Sequence, residues 1–152
     1  MATAVKNRVG YEEDLYAWTQ EQAAILRARQ TEGLDWDNLA EEIEMAGGSD
    51  RRELESRLCV IVLHLLKWQA QPELRGASWR KTLRTQRREI RKLLRQSPGL
   101  RRHVPSMMLD AYRDAVKDAV DETGLPSDRF PADRPYATED VLAEDYLPDA
   151  SL

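Results

Sequence analysis

The sequence predicts an all-α, single-domain bundle of five to six helices, with an extended C-terminal segment and a short terminal helix. Three observations carry that expectation. Apolar residues recur at three- and four-residue steps, the spacing that lines one face of a 3.6-residue helix. Glycine and proline, seven each in 152 residues, gather at a few points, leaving long uninterrupted stretches between them. β-Branched residues, which favour strands, are scarce.

The first helix is expected over residues 11–30. Tyr11, Leu15, Trp18 and Ile25 share a face, and Gln22 interrupts their stripe. Glu12, Glu13 and Asp14 sit where negative charge suits the helix dipole, and Gly33 breaks the pattern. Asp35 is the N-cap residue expected for a shorter second helix that turns Trp36, Leu39, Ala40 and Ile43 inward. Gly47-Gly48 is expected to end it. Asp50, with Glu53 three residues on, reads as the capping arrangement of a third helix. Leu54, Leu58, Ile61, Leu65 and Trp68 form its stripe, Cys59, Val62 and Leu66 widen it, and Pro72 and Gly76 close it.

Ser78 is the expected cap of a fourth helix, with Trp79, Leu83, Ile90, Leu93 and Leu94 facing the core. Ser97-Pro98 reads as an N-cap followed by proline at the first helical position, and Pro105 is expected to break or kink the short helical turn begun there. A fifth long segment runs to about Thr123, carrying Met108, Ala111, Tyr112, Ala115 and Ala119 on one side. Asp110, Asp114, Asp118 and Asp121 form an acidic stripe beside them. Gly124 and Pro126 end it. Residues 125–137 read as an extended surface segment, after which Thr138 caps a last short helix bringing Val141, Leu142, Tyr146 and Leu147 back to the bundle. The domain is thus expected over 11–148, between a flexible stretch 1–10 and a tail 149–152.

Charge is distributed unevenly. Residues 75–102 hold 11 basic side chains against one acid, Glu89, a net of +10, whereas the remainder holds 12 against 26, a net of −14. The longest apolar stretch, Cys59 to Leu66, is interrupted by His64 and is far too short to span a bilayer, and residues 1–10 have no apolar core of a secretory signal. A cytoplasmic protein without membrane attachment is the expectation. Cys59, the single cysteine, allows neither an intramolecular disulfide nor a cysteine-built zinc site, and its neighbours place it toward the core.

Several strings occur in a characteristic order: Tyr11-Glu12-Glu13-Asp14-Leu15-Tyr16-Ala17-Trp18, Asp35-Trp36-Asp37-Asn38-Leu39-Ala40-Glu41-Glu42-Ile43-Glu44, Arg52-Glu53-Leu54-Glu55-Ser56-Arg57-Leu58, and His64-Leu65-Leu66-Lys67-Trp68. Ser78-Trp79, Pro135-Tyr136 and Glu144-Asp145-Tyr146-Leu147-Pro148 complete the set. From about Tyr11 to Pro148 the chain resembles the bacterial family known as domain of unknown function twenty-nine. The resemblance implies an all-helical fold and a bacterial source, and brings no catalytic residues with it.

Three constellations are candidates for function. Arg80, Lys81, Arg84, Arg87, Arg88, Arg91, Lys92 and Arg95 form a basic face that suits phosphate contact, or pairing with acidic elements of this chain or of a second copy. Glu41, Glu42 and Glu44 with His64 could supply metal ligands, but the Glu-x-x-His pattern of bundle metal sites is absent, since Ile61 stands three residues before His64. His64 is better read as a hydrogen-bonded, partly buried residue, and remains the single best proton-transfer candidate. Tyr11, Asp14 and Trp18, with Trp36, Trp68 and Trp79, could line an aromatic pocket, though such spacing more often builds core. The expected function is a non-enzymatic protein–protein interaction or regulatory module, without a cofactor, that binds a protein partner or a second copy. The alternatives are nucleic-acid binding through the basic helix, and an enzyme or metal protein centred on His64 with Glu41 and Glu44.

Overall fold

A computed structural model describes residues 8–149 and residue 152. The expectations for the rest of the N-terminal stretch and for tail residues 150–151 lie outside the described residues. Among the described residues are five α-helices and no strand: α1 (Leu15–Arg27), α2 (Trp36–Ala70), α3 (Ala77–Gln96), α4 (Val104–Thr123) and α5 (Thr138–Leu142). Packing groups the chain into two units, Met1–Gly48 and Ser49–Leu152.

In the first unit, α1 starts four residues later than expected. Asp14 takes extended backbone and its carboxylate accepts from the Ala17 N–H at 2.9 Å, so the acidic run lies ahead of the helix rather than in its first turn. Gln22, which interrupts the apolar stripe, is only 3% exposed. Its Oε1 accepts from the Asp35 N–H at 2.8 Å and its Nε2 donates to the Gly33 carbonyl at 3.3 Å. The polar residue thus satisfies part-buried backbone groups of the loop between α1 and α2, a role apolar periodicity does not reveal. Gly33 takes φ +90°, where a side chain would be strained. Asp35 caps α2 as expected, its Oδ1 accepting from the Asn38 N–H. Trp36 and Ile43, expected to face inward, are 61% and 72% exposed.

The largest departure from expectation is α2 itself. The second and third helices are one, 35 residues long, running through Gly47-Gly48 without a break. A glycine pair weakens a helix by about 1 kcal/mol per residue relative to alanine, but does not forbid one where the flanking residues are strong helix formers. Asp50 therefore caps nothing; its carboxylate accepts instead from the Ser97 hydroxyl at 2.7 Å. That bond also takes Ser97 away from its expected side-chain capping role, since Ser97 makes no side-chain cap bond to the 3-10 segment Pro98–His103.

In the second unit, Leu54, Leu58, Ile61, Leu65 and Leu66 of α2 are fully buried against Leu83, Ile90, Leu93 and Leu94 of α3 and Met107, Met108, Ala111, Ala115 and Ala119 of α4. Each fully buried leucine contributes about 2 kcal/mol, whereas exposed ion pairs contribute about 0–1 kcal/mol. The apolar stripes hold this unit, and pairs such as Arg57–Glu53 trim its surface. Helix α3 begins at Ala77 with Gly76 as N-cap, so Ser78 falls inside the first turn. Pro105 also lies in the first turn of its helix, α4, where its missing N–H costs nothing, and it neither breaks nor kinks that helix. Gly124 closes α4 in the left-handed region at φ +71°.

Residues 125–137 are not a plain surface segment. They include the 3-10 turn Ser127–Arg129 and bury Phe130 and Tyr136 in the core. The Tyr136 hydroxyl donates to Gln69 Oε1, and the Tyr112 hydroxyl to the Pro131 carbonyl. Ala137, not Thr138, is the N-cap of α5, and Val141 is fully buried.

One member of the expected basic face turns inward. Arg87 is 2% exposed. Its Nε donates to the Val141 carbonyl at 2.9 Å, Nη1 to Glu144 at 3.2 Å and Nη2 to Tyr146 at 3.0 Å. The last turn of α5 and the residues after it present carbonyls with no helical partner, and one planar guanidinium satisfies three of them. Burial lowers the Arg87 pKa, but an arginine keeps its proton.

Substitutions at two sites test this packing. Arg87→Met leaves three carbonyls without their donor and lowers stability by about 3 kcal/mol, against less than about 0.5 kcal/mol for Arg88→Met. Urea unfolding measures the loss, and hydrogen exchange or limited proteolysis at residues 141–148 shows the C-terminal segment released first. Gly47→Ala stabilises by about 1 kcal/mol, because the position is helical and a Cβ there meets nothing within 4 Å, whereas Gly124→Ala destabilises by a similar amount. Denaturant midpoints of the two variants moving in the same direction would contradict this.

Candidate interaction surfaces

The basic face of α3 is open. Arg80, Lys81, Arg84, Arg88, Lys92 and Arg95 are exposed, Arg91 is half-buried and Arg87 buried. The acidic stripe of α4 does not cover it: Asp110 pairs with Arg113, Asp114 with Lys117, and Asp118 faces Cys59. On α3, Glu89 takes both Arg88 at 3.2 Å and Lys92 at 3.0 Å, and these cations hold its carboxyl below the usual carboxylate range. Arg91 reaches Glu144 at 3.8 Å. Lys81, Arg84 and Arg95 make no ion pair among the described residues.

Arg80 serves a different role. Its guanidinium carbon lies 5.1 Å from the centre of the Trp68 ring, and that of Arg75 lies 5.3 Å away. Arg75 also donates from Nε to the Trp68 carbonyl at 2.6 Å. Lys67 bonds Glu122 at 2.6 Å and lies 5.0 Å from the Trp79 ring centre. These cation–π contacts join α2 to α3 and to the connection between them, and they occupy Trp68 and Trp79 structurally.

The aromatic residues of the first unit form a separate cluster. Tyr11 meets Trp18 edge to face, with ring centres 4.9 Å apart. The Tyr11 hydroxyl donates to Glu42 Oε1 at 2.6 Å, which pushes its pKa up to about 12. Trp18 Nε1 donates to Asp35 Oδ2 at 3.2 Å. Beside this cluster, α1 and the start of α2 enclose a groove of about 220 Å³ lined by Ala23, Leu26, Leu39, Ile43 and Ala46 over Trp18. Among the described residues, six of the eight large apolar side chains left exposed lie in this unit: Leu15, Tyr16, Leu26, Trp36, Ile43 and Met45.

Residues 10–147 match the family model described as Domain of unknown function DUF29. The chain belongs to that family. No curated protein and no solved structure matches it. The description of that family assigns no site.

His64 is half-buried and its Nδ1 donates to the Val60 carbonyl at 2.8 Å, one helical turn back. Burial first lowers its pKa, against the Val60 hydrogen bond that raises it, with Lys67 adding to the lowering and Glu122 opposing it. Glu41 and Glu44 are exposed. Among the described residues no group of three or more histidine, cysteine or acidic side chains could hold a metal ion. No helix there is long and apolar enough to cross a membrane.

Cys59 is half-buried beside a cleft of about 430 Å³, with its Sγ 3.7 Å from Asp118 Oδ2. Burial, followed by the charges of Asp118 and Asp114, pushes the thiol up to about 12. At pH 8 iodoacetamide is expected to alkylate Cys59 on the order of a thousand times more slowly than in the unfolded chain, because the thiolate is the reacting form. Asp118→Asn speeds the reaction; a native rate equal to the unfolded one would refute the assignment.

Proposed function

We propose that this DUF29 chain is a non-enzymatic protein–protein interaction module whose docking surface is the apolar groove between α1 and the start of α2. The observation that carries this reading is the outward placement of Trp36 and Ile43, together with the groove that Leu26, Leu39 and Ile43 line. Trp36, Leu39, Ile43 and Ala46 follow at steps of three, four and three along α2, so they offer one continuous apolar face. Large exposed apolar faces of this kind mark interaction sites, and tryptophan is enriched among the residues that dominate binding energy. An amphipathic helix of a partner protein fits such a groove through side chains at one-turn spacing. The two side chains best suited to acid–base or nucleophilic work, His64 and Cys59, are respectively tied to a backbone carbonyl and held as a thiol, which supports a binding role over catalysis.

The uncovered cations Lys81, Arg84 and Arg95 favour a second reading, contact with nucleic-acid phosphates through α3. One set of experiments separates the two. A photo-crosslinking residue at position 43 is expected to yield one dominant adduct in cell extract, lost in Trp36→Ser, which costs at least about tenfold in affinity. No adduct, or one unaffected by Trp36→Ser, overturns the docking surface. An adduct with a second copy supports it as a homodimer. Retardation of duplex DNA that fades steeply with salt and is lost in Lys81→Gln/Arg84→Gln supports the second reading.

A further inference from the structure

Near the C-terminal end of α3 the second unit holds a cleft of about 310 Å³, at the lower edge of the size range of small-molecule sites. Its apolar walls are Ile90 and Leu94 of α3 and Leu142 of α5. Arg91, Arg95 and Arg101 line it as well, the last from the 3-10 segment Pro98–His103. The guanidinium of Arg87, which also borders the cleft, is committed to the three carbonyls of the C-terminal segment. No acidic side chain lines the cleft.

We infer that this cleft is a binding site for a small amphiphilic anion, a phosphate or carboxylate head joined to a short apolar body. Two features of the cleft require both parts. Arg91 and Arg95 are four residues apart on one helix, a like-charge arrangement that destabilises a helix unless a counter-charge intervenes. In the middle of α3 Glu89 supplies that charge to Arg88 and Lys92. Here Arg91 has only Glu144, at 3.8 Å, and neither Arg95 nor Arg101 has an ion-pair partner among the described residues. A bound anion supplies what the chain omits, and the planar guanidinium fork is the side-chain group best matched to phosphate and carboxylate oxygens. The second feature is the apolar wall. Ile90 and Leu94 are already buried and form the floor, so a bare inorganic anion leaves the half-buried Leu142 facing water, while an alkyl or aryl body covers it and gains about 0.8 kcal/mol per buried methylene. The concave shape favours a small ligand over a duplex, whose phosphates meet convex helix faces.

The site stands independently of the apolar groove in the other unit, and it shares Arg91 and Arg95 with the basic face. The test therefore uses Arg101, which lies off that helix. Octyl phosphate, kept below its aggregation concentration, and inorganic phosphate are titrated against the full chain by calorimetry. Octyl phosphate is expected to bind at least about tenfold more tightly, and exposed Arg101→Gln to weaken it about tenfold with an unchanged urea midpoint, as loss of one charge-assisted contact requires. Lys81→Gln/Arg84→Gln leaves this binding intact, which separates it from phosphate contact along the whole of α3. Equal affinity for the two probes, or an Arg101→Gln variant that binds octyl phosphate like the parent, overturns the proposal. Vesicles of anionic phospholipid that displace octyl phosphate identify the head as a lipid's; vesicles that do not displace it identify a free small molecule.

Discussion

Arg87 is the constraint around which the second unit closes. Leu83, Ile90 and Leu94 turn one side of α3 into the core, and the charged residues turn the other side out. Arg87 falls at the boundary, where the segment after α5 crosses the helix. That segment has no sheet or long helix to absorb its carbonyls, so burying it without a donor would cost more than its apolar contacts return. A guanidinium supplies several donors in one plane without needing a carboxylate. Phe130, Tyr136 and Val141 can then stay in the core, and the chain after α4 becomes part of the fold.

The same arrangement shapes the surface. Because Arg87 is drawn inward and Glu144 follows the segment it holds, α3 is divided. Glu89 tempers the charge on its middle, the Lys81–Arg84 end is open, and the Arg91–Arg95 end borders a cleft whose apolar wall includes Leu142 of α5 itself. Release of the C-terminal segment would remove that wall. Packing of the C-terminal segment and the shape of the cleft are therefore linked through Arg87, whose own donors point to carbonyls.

The two units differ in how they treat apolar side chains. In the second, helix faces find one another and little large apolar surface is left over. In the first, a short helix, a glycine-turned loop and the start of α2 bury Trp18 and Gln22 but leave Trp36 and Ile43 in water. Two helical stretches of this length have too little volume to cover both of their apolar faces.

The sequence by itself determined the helical class, most helical residues of the main core and the position of most helix boundaries, because these depend on local spacing and capping chemistry. Leu54 through Trp68 and Leu83 through Leu94 are buried in the order their periodicity dictates. Tertiary structure decided whatever depends on a partner distant in the chain. Gly47-Gly48 is a break by propensity and a continuous helix in fact, since neighbouring turns outweigh a penalty of about 1 kcal/mol each. Gln22 reads as a flaw in a stripe until the loop it satisfies is in place, and Arg87 reads as surface until a segment more than fifty residues later presents its carbonyls. Trp36 and Ile43 read as core until the helices prove too few to cover them. Local pattern specifies which face of a helix is apolar; only the assembled chain specifies what, if anything, that face meets.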